Sequence, residues 1–155
     1  MRHPFLSFLL LVAGATAARA QKAPANAAET AAVQKTITTF FDGMRQGDST
    51  MVRGTLAPGV VLHTISPKNG GQVEIEPANA FLKAVGTPHP DVYDERITFG
   101  QVLVDAPLAS VWTPYQFYVG TKFSHCGYNS FQLVKLAGNW KIVHIIDTRR
   151  KDGCP

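Results

Sequence analysis

The chain has 155 residues and a formal net charge of +4, from 15 basic and 11 acidic side chains. The length suits one domain with its own core. The sequence carries no Lys/Arg stripe with interleaved aromatics, and its one basic cluster is RRK at 149–151, so nothing supports a nucleic-acid partner.

The N-terminus, MRHPFLSFLLLVAGATAARA, has a basic start at Arg2, an apolar stretch from Phe5 to Ala18 and a small-x-small ending at Ala18-Arg19-Ala20. This is the layout of a cleaved signal peptide over residues 1–20. The apolar stretch is too short to cross a bilayer, which takes roughly 20 residues. The reading places the mature protein in the periplasm or outside the cell, with no membrane span after cleavage. Loss of Arg2 and Arg19 leaves 13 basic residues against 11 acidic, a net charge of +2. Residues 21–29, QKAPANAAE, are small, polar and Pro-containing and read as a flexible leader, so the domain is expected over 30–155.

A first helix is expected over about Thr30–Gln46, because Val33, Ile37, Phe40, Phe41 and Met44 recur at helical spacing. Gly47 ends it, and Asp48 caps a short second helix carrying Met51, Val52 and Leu56. Val60–Ile65 reads as a strand and SPKNGGQ as a turn or loop. A third helix starts near Glu76-Pro77 with Pro at its first position. From Val92 the chain is rich in Val, Ile, Phe, Tyr and Thr. Breakers at Asp105–Pro107, Gly120–Lys122 and Ala137–Asn139 divide it into four strands. Helices first and a meander last predicts an α+β domain with helices on one face of an antiparallel sheet.

Both faces of these strands carry apolar groups. Val111, Tyr115 and Phe117 share one side, and Leu108, Trp112 and Tyr118 the other. In the last strand Val143 and Ile145 are expected on one face, and Trp140, Ile142 and Ile146 on the other. A sheet with one wet face would alternate more cleanly, so a homodimer is expected.

Two cysteines are present, Cys126 and Cys154. In an exported protein such a pair reads first as a disulfide, worth roughly 3 kcal/mol for a loop of about this length in the chain-entropy model. Cys126 follows His125 directly in FSHCGYNSFQLV. Neighbouring strand residues point to opposite faces, so the two cannot easily converge on one metal ion or substrate atom. A bulge at Gly127 would weaken that argument.

AAVQKTITTFFDGMRQGDSTMVRGTLAPGVVLHT, then a helix, then a meander ending GNWKIVHIIDTRR, resembles the nuclear transport factor 2-like superfamily. More narrowly it is similar to exported SnoaL-like and lumazine-binding-type bacterial proteins. The resemblance covers about Ala31 to Cys154. It implies a cone, in which a strongly curved sheet in a cystatin-like arrangement wraps three N-terminal helices around a pocket at the wide end. Relatives include ketosteroid isomerase, scytalone dehydratase and polyketide cyclases, so the fold alone does not give a function. Alignment on Gly47-Asp48 puts the isomerase's general-base aspartate on His63. It puts the oxyanion-hole tyrosine on Phe40, which has no hydroxyl and disfavours that reaction. No metal motif carries over and no cofactor is implied.

The candidate catalytic residues are His63, His125 and Asp147, and the candidate ligand-binding residues are Trp112, Tyr115 and Arg149. His63 lies between Leu62 and Ile65 and reads first as a hydrogen-bonded core or rim histidine and second as a pocket base or ligand donor. Asp147 follows near-apolar positions and needs a partner if buried; Arg149 on the same face and His125 on the adjacent strand are the two candidates. An Asp147–His125 contact would make a dyad in which the carboxylate orients the imidazole. Pro114 signals a bulge or edge that would re-aim Tyr115 or Trp112. His144 faces away from Asp147. The residues point to an exported protein binding a small, partly apolar molecule. The alternatives are a cofactor-independent dehydratase, isomerase or cyclase using the same pocket, and a dimeric interaction protein without catalysis.

Overall fold

The structure, a computed structural model, describes residues 23–105 and 107–155. The expected signal peptide lies outside the described residues. Three helices come first: α1 (Ala23–Gln46), α2 (Ser49–Thr55) and, after two strands, α3 (Ala78–Gly86). The strands are β1 (Leu56–Ile65), β2 (Val73–Glu76), β3 (Tyr93–Ile97), β4 (Gln101–Asp105), β5 (Leu108–Val119), β6 (Lys122–Leu136) and β7 (Asn139–Thr148). A single 3-10 turn, Pro67–Asn69, joins β1 to β2.

The first helix begins at Ala23, not at Thr30. Its extra turns draw on an alanine-rich segment, and Ala has the best helix propensity. They are tied down at Glu29, whose carboxylate accepts from Lys135 Nζ and, at 2.8 Å, from Trp140 Nε1 on the sheet. The latter part of the expected leader is therefore ordered helix. Gly47 ends α1 with a positive φ. Asp48 caps α2 by accepting from the backbone N–H groups of Thr50 and Met51, each at 2.9 Å. Pro77 lies just outside α3 in an extended conformation instead of inside its first turn.

The sheet runs β2-β1-β7-β6-β5-β3, with β4 also paired to β5; β1 and β7 are parallel and the other pairs antiparallel. One expected strand is split into β3 and β4, because Thr98–Gly100 place three residues opposite two of β5; Thr98 N–H bonds Pro114 O at 3.2 Å. Gly100 N–H still bonds Trp112 O at 2.9 Å. The sheet is curved and unclosed, and the helices fill its concave face. Val33, Ile37, Phe40, Phe41 and Met44 of α1, Val52 of α2 and Leu82 and Val85 of α3 pack on Val111, Phe131, Leu133, Ile142 and Ile145.

The last strand departs from simple alternation. Gln132 pairs with His144 but Leu133 pairs with Ile142, so Val143 is an extra residue in β7. The bulge switches the strand's parity. Trp140 and Ile142 therefore share the buried face with Ile145 and Asp147, while His144 and Ile146 face out. The expected grouping of Ile146 with Trp140 and Ile142 is corrected by this one residue.

Cys126 and Cys154 are joined by a disulfide, with their Cα atoms 5.7 Å apart. The segment beyond β7 returns beside β6, where Cys126 and Arg150 exchange both backbone hydrogen bonds, at 2.8 and 2.9 Å. Among the described residues no helix is long and apolar enough to cross a membrane.

Candidate functional site

Where the sheet curves over the helices lies a cavity of about 350 Å³. That is at the small end of the range for small-molecule sites, about 300–1,000 Å³. Its wall is apolar on the helix side. Phe40 is stacked on Phe81 with centroids 5.7 Å apart, and Phe40 and Phe41 both meet the edge or face of Phe131. On the sheet side the inward positions of β3, β5, β6 and β7 bring polar groups together.

Asp147 is 8% exposed, so its charge needs partners. Thr64 Oγ1 donates to Oδ1 at 2.5 Å, and Arg149 Nε donates to Oδ2 at 2.8 Å. Arg149 Nη2 also donates to Thr64 Oγ1 at 3.0 Å, which closes the triangle. Tyr115 Oη sits within 3.2 Å of Asp147 Oδ2 and 2.9 Å of the Thr148 carbonyl, and its proton serves these two acceptors. Burial, together with the nearby charges of Asp147 and Glu95, pushes the Tyr115 phenol well above its usual range. Tyr115 is thereby held as a donor.

The Thr148 carbonyl reaches Tyr115 only because Gly127 is a glycine. A Cβ at Gly127 would fall on that carbonyl oxygen. Backbone thus occupies the space that a side chain of β6 would fill.

His125 faces inward beside Phe117, with ring centroids 5.0 Å apart, and lies edge-on to Tyr115 at 5.7 Å. Its Nδ1 is 3.0 Å from Ser124 Oγ. Burial, then the positive charges of Arg149, Lys68 and Lys151, push its pKa down to about 4 against the opposing pull of Asp147. It is a neutral imidazole near pH 7. Among the described residues Asp147 is bonded to Thr64, Tyr115 and Arg149, and His125 is not among its partners. The geometry is that of an Asp147–Arg149 ion pair, not an Asp147–His125 dyad.

His63 borders the cavity between the buried Leu62 and Thr64. Strand alternation sends its ring to the opposite face, where His63 Nδ1 lies 2.9 Å from His144 Nε2. Burial, then His63, lower the pKa of His144. The position expected to carry a base therefore presents no imidazole to the cavity. Trp112 is likewise on the outer face, 46% exposed and stacked on Tyr128 at 5.3 Å. The cavity thus brings together Tyr115, His125, Asp147 and Arg149, and leaves out Trp112 and the His63 ring.

Glu95 is a cavity residue not anticipated from the sequence. It is paired across the sheet with Phe117, and its Oε1 accepts from Asn129 Nδ2 at 2.8 Å; Asn129 is itself 4% exposed. The residue is only partly covered, and it lines the cavity. Burial drives its pKa up to about 7. The Asn129 hydrogen bond opposes the rise, the charge of Asp147 adds to it and Arg149 subtracts. The signal was present: Tyr93, Glu95 and Ile97 alternate at period two, which puts Glu95 on the face of two apolar residues.

The curved, unclosed sheet wrapped over three helices is the nuclear transport factor 2-like fold. A family model described as "Putative lumazine-binding" matches residues 28–145, and the chain belongs to that family. Among solved structures it is similar to a conserved protein from Planctomyces limnophilus (16% identity, TM-score 0.67), covering 80% of this chain and 98% of that one. A nuclear transport factor 2-like protein of unknown function from Silicibacter pomeroyi gives 15% identity and a TM-score of 0.66, covering 81% and 98%. A protein described as a putative ketosteroid isomerase from Shewanella frigidimarina gives 21% identity and a TM-score of 0.57, covering 75% and 94%. At these identities the likeness is one of fold. No curated protein matches the chain.

Proposed function

We propose that this is an exported protein that binds a small, partly apolar molecule in the cavity. The observation that carries the reading is the mixed cavity wall: apolar groups from the helices and from Phe117 and Phe131 of the sheet, with Glu95, Tyr115, His125, Asp147 and Arg149 gathered on the sheet side. Such a wall suits an apolar body with one polar end. The family model agrees with a small-molecule role. The N-terminal signal-peptide layout and the Cys126–Cys154 bridge favour export. Native mass spectrometry of protein purified from its own periplasm or medium tests both parts. The expected species starts at Gln21 and carries a small-molecule mass that is lost on denaturation. A bare chain, together with no thermal shift across a small-molecule panel, overturns the binding reading; an uncleaved N-terminus overturns export.

A second reading is acid–base catalysis without a cofactor: dehydration, isomerisation or cyclisation. Glu95 favours it, because a carboxyl titrating near neutrality can both take and return a proton. Bound ligand would then exchange an acidic C–H for deuterium in D2O, followed by NMR, and Glu95→Gln would stop the exchange. A ligand that binds wild-type protein without exchange removes this reading. The apolar outer face, with Trp112, Leu103, Val61 and Ile75 exposed, supports a homodimer through the sheet.

A further inference from the structure

The cavity is unbalanced in charge. Glu76, Glu95 and Asp147 border it, against one guanidinium, Arg149. His125 adds no charge near pH 7. Arg149 is already committed, through Nε to Asp147 and through Nη2 to Thr64, and its side chain is 41% exposed at the mouth. Lys68 and Lys151 act on His125 from outside the lining. Around Glu95 the wall is aromatic. Phe117 is its cross-strand partner, Tyr93 precedes it on the same face, and the Tyr93 and Phe117 rings are 6.0 Å apart. Phe117 continues to His125 and Tyr115. Glu95 Oε1 is used by Asn129, and Oε2 has no partner among the described residues. A carboxylate set among aromatic faces matches a positive charge twice, by direct attraction and by the negative faces of the rings.

We propose that the cavity takes an organic cation: an amine with an aromatic or aliphatic body, its ammonium turned to Glu95 and its body lying among Phe40, Phe81 and Phe117. This rests on the reading of the cavity as a ligand site and gives that ligand a chemical class. Binding draws on the ionised form of Glu95, so it strengthens as pH rises from 6 to 8, while an alkylammonium, titrating at about 10 as lysine does, stays charged. Every other charged or titratable group facing Glu95 is accounted for. Asp147 and Arg149 come from the β7 end, His125 from β6, Tyr115 from β5, Glu76 from β2 and Tyr93 from its own strand. On α1, Arg45 is paired with Asp42 and Asp94, each at 2.8 Å.

Three probes of similar size test it by isothermal titration on the disulfide-bonded mature chain: 2-phenylethylamine, 2-phenylethanol and phenylacetate. The expected order is amine tightest, by about tenfold or more over the alcohol, a difference of about 1.4 kcal/mol, with phenylacetate weakest. Glu95→Gln removes the amine's preference over the alcohol. In wild-type protein the amine's affinity rises across pH 6–8 and the alcohol's stays flat, which tests the proposal even if the variant folds poorly. Equal binding of amine and alcohol, or tighter phenylacetate, overturns the cation and leaves the ligand site standing. Failure of all three at millimolar concentration overturns the ligand site as well.

Discussion

Gly127 lacks a side chain where the main chain of another strand needs the room. Gly127→Ala is expected to push the Thr148 carbonyl off Tyr115 and to disturb the Cys126–Arg150 pairing beside it. A forced backbone shift in a packed site costs about 1–3 kcal/mol; urea unfolding with a midpoint unchanged from wild type would contradict the packing described. His125 and Glu95 make a second prediction, because their shifts oppose each other. His125 titrates lower folded than unfolded, so the unfolded chain binds more protons between about 4 and 6.5, and this stability is lost as pH falls through that window. Glu95 titrates higher folded than unfolded, so its contribution is lost as pH rises from 4.5 to about 7. Single variants should separate them. Glu95→Gln should leave stability rising with pH across the window, and His125→Gln should leave it falling. Parallel pH–stability curves for the two variants would refute the assignment.

The elements were read unevenly, and the reasons are physical. The α1 stripe from Val33 to Met44 follows one helical period, so the buried face of the helix was legible. Its start was not, because Ala23–Ala28 offers helix propensity with few large apolar groups; what holds it is Glu29 reaching residues more than a hundred positions away. Glu29→Ala should therefore raise amide exchange over the first turns of α1 and leave exchange over β6 unchanged. Equal protection in wild type and variant would mean the turns stand on propensity alone. The parity of β7 was illegible for a related reason: the bulge at Val143 is a property of its pairing with β6, not of its own sequence. Tyr115, His125, Asp147 and Arg149 stand out in the sequence by residue type, but the face that His125 occupies depends on strand pairing and bulges, which alternation alone does not give. Glu95 was overlooked because Asp94-Glu95-Arg96 looks like a solvated charge run, although Tyr93 and Ile97 beside it mark the inward face. The His63 ring went the other way because Thr64, one residue later, supplies the inward contact to Asp147.

At the scale of the molecule, the inner face of the sheet is occupied by helices and cavity, so an association through the sheet would use its outer face. Trp112, stacked on Tyr128, is one of the exposed apolar groups there, with Ile75 and Leu103. Light scattering is expected to give twice the chain mass for the wild type and one chain mass for Trp112→Asp, with the pH and salt held constant. A monomeric wild type would remove the dimer. The Cys126–Cys154 bridge has a reach beyond stability. It pins the returning tail to β6 next to the stretch that carries the Thr148 carbonyl and Arg149, so it fixes one wall of the cavity. If the cavity binds a ligand as proposed, oxidation would act on recognition as well as on stability. Affinity for a bound small molecule should drop when the protein is held in reductant or made as Cys154→Ser, measured where the core is still folded. On the proposed reading of an exported binding protein, the binding wall would be complete only after the chain reaches an oxidising compartment.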